Sequence, residues 1–216
     1  WGTVFLAPEF AHSFGALELT IGRYLFYGLI AALLIAPRAR QLFASLGKAE
    51  WLGLLGLAFT GNIFYYLFIS NAVQMGGIAM TSLIVGLVPV AVSILGSRES
   101  GAVSLRRLLP SILLCMASAV AIGWDAFGAL LSASDTTPLI GMVCAFGGLI
   151  SWTIYAVRNR TWLSRMHGIS AYDWNLLLGL VTGLLSLAML PFALMFVDLQ
   201  HSQTEWLQFI AACAII

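Results

Sequence analysis

Of 216 residues, 61% are Ala, Val, Ile, Leu, Met, Phe, Trp, Tyr or Cys and 9% are Asp, Glu, Lys or Arg, against about half apolar and a quarter charged in a soluble domain. Ten basic and nine acidic side chains cannot cover a globule of this size without very large exposed apolar patches, and so high a hydrophobicity excludes disorder. A formal charge of +1 offers nothing to a nucleic acid; the composition is that of an all-α polytopic protein dissolved in a lipid bilayer.

A helix that crosses the hydrocarbon core needs about 20 mainly apolar residues, so the spacing between charges sorts the chain. Trp1 to Ala7 is apolar but too short to cross, and it lacks the basic start and cleavage site of a signal peptide. Leu19 to Pro37, broken by Arg23 alone, predicts a span over 18–36. Trp51 to Ser97 carries no charge over 47 residues, too many for one crossing, and its polar middle (Ser70, Asn71, Gln74, Gly76, Gly77) divides it into spans 51–69 and 76–96. The later charge-free windows predict spans 105–123, 138–157 and 173–197. Trp206 to Ile216 is apolar and too short to cross. Six complete and two partial spans are expected of a piece of a longer membrane protein.

The loops sort by charge. Arg38, Arg40 and Lys48, then Arg98, Arg106 and Arg107, then Arg158, Arg160 and Arg165 occupy alternate connections; Glu9, Glu18, Asp125, Asp135, Asp198 and Glu205 occupy the others. The positive-inside rule puts the basic loops in the cytoplasm, which implies a multi-pass protein of the cell (inner or plasma) membrane. Cytoplasmic connections then balance at +6 and outer ones at −6, with Arg23 supplying the remaining +1. Trp51, Trp124, Trp162, Trp174 and Trp206 stand at or near span ends, where interfacial belts place them. Cys115, Cys144 and Cys213 are intramembrane, isolated and odd in number, so neither a disulfide framework nor a metal cluster is expected.

Trp1-Gly-Thr-Val-Phe5 has an echo in Ser151-Trp152-Thr-Ile-Tyr155, and Pro37 and Pro191 end the following spans with an offset of 154. Five spans separate the copies, and an odd number reverses the second. Inverted repeats are a recurrent plan of secondary transporters, with the substrate site near the midplane between them. The N-terminal Trp-Gly, Gly22-Arg23-Tyr24, the Gly76-Gly77 start of the fourth span, Pro89-Val90, Glu99, and Trp152 with Tyr155 together resemble the drug/metabolite transporter superfamily, EamA type. The resemblance implies ten helices in two inverted five-helix halves. It divides this chain into a first repeat over 1–137 and a second over 138–216, with a central cavity and export of small metabolites such as amino acids.

The candidate substrate-cavity residues are Arg23, Asn62, Tyr65, Tyr66, Ser82, Pro89, Trp152 and Tyr155. Arg23 is the one charge well inside a span, and an intramembrane ionisable group is a functional candidate by default; the competing reading has it snorkel outward, paired with Glu18. Asn62, Tyr65 and Tyr66 share a helix face at i, i+3 and i+4, which must turn to a cavity or to a hydrogen-bonding neighbour helix. Ser151, Trp152 and Tyr155 make a similar stripe. Ser82, Pro89 and Ser93 align on the fourth span, where Pro89 removes the bond to the Val85 carbonyl and is expected to bend the helix. Gly179-x-x-x-Gly183 reads as close helix packing. No predicted span carries Asp or Glu near its centre, His12, His167 and His201 lie in loops, and no HExxH, GxSxG or phosphate-loop motif occurs. The sequence therefore predicts no enzyme, no metal and no cofactor, but a secondary transporter that exports a small-molecule substrate by alternating access. Alternatives are a non-transporting scaffold or sensor, and an intramembrane enzyme. A homodimer is compatible with the composition.

Overall fold

The structure is a computed structural model that describes residues 2–97, 106–117, 121, 136–166, 168–195 and 201–215. Trp1, Arg98, Glu99, Trp124, Asp125, Asp135, His167 and Asp198, and part of the predicted span 105–123, lie outside the described residues. In order, the elements are α1 (Thr3–Phe10), α2 (Ala16–Ile35), a 3₁₀ turn (Ala36–Arg38), α3 (Ala39–Ala44), α4 (Lys48–Leu57), a π-helical stretch (Ala58–Phe64), α5 (Tyr65–Val85) and α6 (Val88–Gly96). Then follow α7 (106–117), α8 (Thr137–Arg165), α9 (Ala171–Leu194) and α10 (Gln203–Ile215). No strand occurs among the described residues, as hydrocarbon demands: a helix satisfies its own backbone polar groups, and an open sheet edge does not.

Four helical stretches are long and apolar enough to cross a membrane: Ala16–Ala44, Lys48–Val85, Thr137–Arg165 and Ala171–Leu194. Their outward surface is apolar too, with Leu33 and Val143 each 67% exposed. The 38-residue stretch Lys48–Val85 is broken at Gly77, whose φ of 80° and ψ of 163° belong to a region nearly restricted to glycine. The expected division thus falls at Gly77, and Ser70, Asn71 and Gln74 lie within the helix ahead of it. Ala72 before the break and Met80 and Ile84 after it share one buried cluster with Ala145 and Leu149 of α8.

Two expectations need correction here. Pro89 does not kink a continuous helix: α5 ends at Val85, Gly86 and Leu87 form a turn whose φ and ψ stay in the right-handed region, and Pro89 stands in the first turn of α6, where its missing N–H costs no bond. Trp174 is not an interfacial anchor. It is 1% exposed, its indole N–H donates to Asn159 Oδ1 at 2.9 Å, and its ring stacks on Trp162 at 6.0 Å. Helix α8 also runs on without a break through Arg158, Arg160 and Arg165, so that its 29 residues extend about 43 Å where a loop was expected after residue 157.

The main packing pairs are α2 with α9 and α5 with α8. Between membrane helices, small residues permit the backbone approach on which association depends, and both pairs use glycine. At the α2–α9 crossing, a Cβ on Gly28 would lie 2.5 Å from Gly183 Cα, and one on Gly183 would lie 2.6 Å from Gly28 Cα. At the α5–α8 crossing, a Cβ on Gly141 would lie 2.6 Å from Gly76 N. Gly179, the other glycine of the Gly-x-x-x-Gly motif, faces Tyr27 and Ala31.

One end of the α2–α9 pair is tied by charge. Ser170 caps α9 by accepting from the Asp173 N–H at 3.0 Å, and its hydroxyl donates to Asp173 Oδ2 at 2.7 Å. Arg38 Nη1 reaches Asp173 Oδ1 at 2.8 Å, with the two side chains 46% and 12% exposed. Removing one partner of a buried pair costs several kcal/mol, but the half-exposed arginine is screened, so Arg38→Ala is expected to destabilise by about 1–2 kcal/mol. A double-mutant cycle with Asp173→Asn, read by unfolding in detergent, should show strong non-additivity; simple additivity would mean that the two charges do not interact.

Candidate functional site

The middle of the bundle is organised by the π-helical stretch Ala58–Phe64. A π-turn widens the backbone ladder, and its carbonyls become available to neighbouring helices; such turns recur at functional sites. Two are taken. The Thr60 carbonyl accepts from Ser151 Oγ at 2.6 Å, and the Asn62 carbonyl accepts from the Tyr24 hydroxyl at 3.1 Å. Asn62 then donates from Nδ2 to Thr182 Oγ1 at 2.7 Å, and that hydroxyl donates to the Leu178 carbonyl of its own helix at 2.7 Å. Gly61 lets Tyr155 approach: a Cβ there would overlap the tyrosine ring. A polar seam therefore joins α2, the π-stretch, α8 and α9.

Beside the seam lies an aromatic run with one cation. Tyr65 packs on Trp152 with ring centroids 4.7 Å apart, and Trp152 on Tyr155 at 4.9 Å. Tyr66, 1% exposed, meets Tyr24 edge-on at 6.0 Å, and the Arg23 guanidinium lies 4.5 Å from the Tyr66 centroid and 5.6 Å from that of Tyr24. Arg23 thus turns inward across two rings, a geometry that attracts the cation through the ring quadrupole. Glu18 is engaged elsewhere, since its Oε2 accepts from the Gly15 N–H at 2.8 Å at the start of α2. Arg23 Nη1 and the Tyr65 hydroxyl are buried, and neither has a hydrogen-bond partner.

Six of the eight sequence candidates come together here: Arg23, Tyr65, Tyr66, Trp152 and Tyr155 in the aromatic run, and Asn62 in the seam, where its amide serves a helix–helix bond. Ser82 and Pro89 do not join them. The Ser82 hydroxyl donates to the Ala79 carbonyl of its own helix at 3.1 Å, and Pro89 is exposed on α6. Tyr24, Thr60, Gly61 and Thr182 belong to the site without having been expected there. The Thr-Gly-Asn tripeptide inside an apolar run was the available signal for three positions, counting Asn62. Among the described residues, no group of three or more His, Cys, Asp and Glu comes together to hold a metal ion.

No family model matches the chain, and no solved structure matches it. The chain is 29% identical over 187 residues to "Inner membrane protein YtfF" of Escherichia coli (strain K12), in an alignment that covers 84% of this chain and 58% of that protein. The chain therefore spans less than two thirds of the curated relative that it matches. Four long apolar helices with an apolar exterior and a polar interior seam make this an all-α membrane protein. The particular protein to which it is similar is likewise named as a membrane protein.

Proposed function

We propose that the chain is the larger part of a multi-pass secondary transporter of the inner membrane, which moves small organic solutes outward by alternating access. In this reading it has the ten-helix inverted plan of the EamA-type transporters, with its first repeat over 1–137, its second over 138–216 and its basic loops in the cytoplasm.

The carrying observation is the α2–α9 crossing. The helices run antiparallel, since Arg38 just beyond the end of α2 meets Asp173 in the first turn of α9. Their contact is close to two-fold symmetric: each glycine faces the Cα and N of the other, and a carbonyl oxygen four residues before the other, Gly179 O for Gly28 and Tyr24 O for Gly183. Gly28 and Gly183 are 155 residues apart, near the offset of Pro37 and Pro191. An axis through such a crossing, perpendicular to both helices, is the operation that relates inverted repeats. Other contacts fall into counterparts under it: α1 packs on α10 as α8 packs on the π-stretch, and α2 packs on α10 as α9 packs on α4 and the π-stretch. The axis passes beside the seam and the aromatic run, where rocking of the two halves would open a site to each side in turn. The EamA-like motifs support the same plan, and the name of the inner-membrane relative supports the membrane location.

The engagement of Asn62 and Ser151 in helix–helix bonds favours a second reading, a non-transporting scaffold. Cysteine accessibility separates the two. In full-length protein with Cys115, Cys144 and Cys213 replaced by serine, Tyr65→Cys and Tyr155→Cys are expected to react with a membrane-impermeant thiol reagent from the aqueous side, whereas Val143→Cys, on the apolar exterior, stays inert. A scaffold predicts that all three are equally unreactive in folded protein.

A further inference from the structure

A charged group inside a membrane protein ordinarily faces a partner or a wet cavity, because an uncompensated buried charge is costly. Arg23 has no anionic partner in view: its guanidinium hydrogen-bonds the Tyr66 side chain, but Nη1 is buried without an acceptor, Glu18 is held by the Gly15 N–H, and the ion pair formed among the described residues is that of Arg38 with Asp173. The Tyr65 hydroxyl is also buried without a partner, on the residue next to Tyr66, over whose ring the Arg23 guanidinium lies at 4.5 Å. The polar groups of the seam are taken, Tyr24 by the Asn62 carbonyl, Asn62 by Thr182, and Ser151 by the Thr60 carbonyl, whereas the uncharged hydroxyls of Ser70 and Ser186 are also buried without a partner. The cation has no counterpart across the pseudo-two-fold crossing either. The position 155 residues further on is Leu178, which is buried, so the helix pairing itself does not call for a charge here.

An arginine can only donate, and a phenol can donate, so the group that completes both is an acceptor carrying negative charge; a carboxylate matches the guanidinium fork. We propose that Arg23 and Tyr65 form an anion-binding point that takes the carboxylate of a small organic anion, whose apolar body lies against Tyr65, Trp152 and Tyr155. This deepens the transport reading and rests on it, with the anion as the cargo.

The test uses the full-length protein in nanodiscs, melted with increasing phenylacetate or with its neutral isostere phenylacetamide. Phenylacetate is expected to raise the melting temperature and phenylacetamide to leave it unchanged. Arg23→Met should abolish the response, Arg23→Lys should weaken binding at least tenfold because a point charge cannot replace the fork, and Tyr65→Phe should weaken it about tenfold. With no anion present, Arg23→Met should melt at or above the parent, since sites kept for function commonly cost stability. The proposal is overturned if Arg23→Met fails to fold or melts below the parent, if both compounds stabilise equally, or if neither does. Phenylacetate binding without protein-dependent flux of any solute would sink the transport reading and leave the anion point standing; flux that survives Arg23→Met would do the reverse.

Discussion

Gly28→Ala is expected to lower the stability of the protein by about 1–3 kcal/mol, the usual cost of overpacking a filled core, and Gly28→Leu to leave little folded material. The added Cβ would stand 2.5 Å from Gly183 Cα and 3.2 Å from Gly183 N, where ordinary contact begins near 3.4 Å. Backbone cannot swing aside as the tip of a flexible side chain can, so α2 and α9 must separate by about an ångström and lose contacts along their whole crossing. Lipid does not squeeze helices together as water does, and this packing is much of what joins them. Gly183→Ala meets the same obstacle from the other side, with Gly28 Cα 2.6 Å away. Once one methyl has parted the helices the second costs less, so the double variant should be less harmful than the sum of the two. Gly56 is the control: nothing lies within 4 Å of a Cβ there, and alanine within α4 should be neutral or stabilising by up to about 1 kcal/mol. Thermal melts in detergent decide the matter; Gly28→Ala as stable as Gly56→Ala would contradict the crossing.

The second large effect is expected around Gly77, by a different mechanism. A Cβ on Gly77 has open space, so alanine there clashes with nothing, yet the φ of 80° with ψ of 163° is strained for any L side chain at about 1–3 kcal/mol. Gly141→Ala fails by collision instead, since its Cβ would stand 2.6 Å from Gly76 N and 2.9 Å from Gly76 Cα. Gly76→Ala should be the mildest of the three, because its close neighbour is the flexible end of Met80, with Gly141 Cα at 3.5 Å. Melting temperatures should therefore fall clearly for Gly77→Ala and Gly141→Ala and only slightly for Gly76→Ala. The opposite order would mean that the chain does not break at Gly77.

Much of the fold was legible because hydrocarbon leaves the backbone little choice. Windows with little or no charge predicted helices over 18–36 and 173–197, and the structure has Ala16–Ile35 and Ala171–Leu194. What the windows could not tell is where a helix stops once lipid no longer constrains it: α8 continues to Arg165 because nothing between residues 157 and 165 breaks a helix. Nor could they distinguish an interfacial tryptophan from one at the same depth that faces a neighbour, as Trp174 does through Asn159. Pro89 suggested a kink, but a proline can equally stand in the first turn of a helix that begins after a turn, as it does in α6.

The candidate site was legible by residue type and not by partner. Polar and aromatic stripes at helical spacing identified Arg23, Asn62, Tyr65, Tyr66, Trp152 and Tyr155. That Arg23 lies over Tyr66 rather than beside Glu18, and that Asn62 bonds Thr182 across 120 residues, are pairings between distant segments for which a single sequence holds no trace. The π-stretch was hidden for the same reason, since a widened turn is fixed by what packs on it, here Ser151, Tyr155 and Tyr24.

Solute flux bears most directly on the transport reading. Full-length protein reconstituted in liposomes, loaded in turn with a panel of amino acids and other small organic carboxylates with and without a pH gradient, is expected to release at least one of them in a saturable, protein-dependent manner that Arg23→Met abolishes. Folded protein that moves no member of the panel above the rate of empty liposomes would contradict the account.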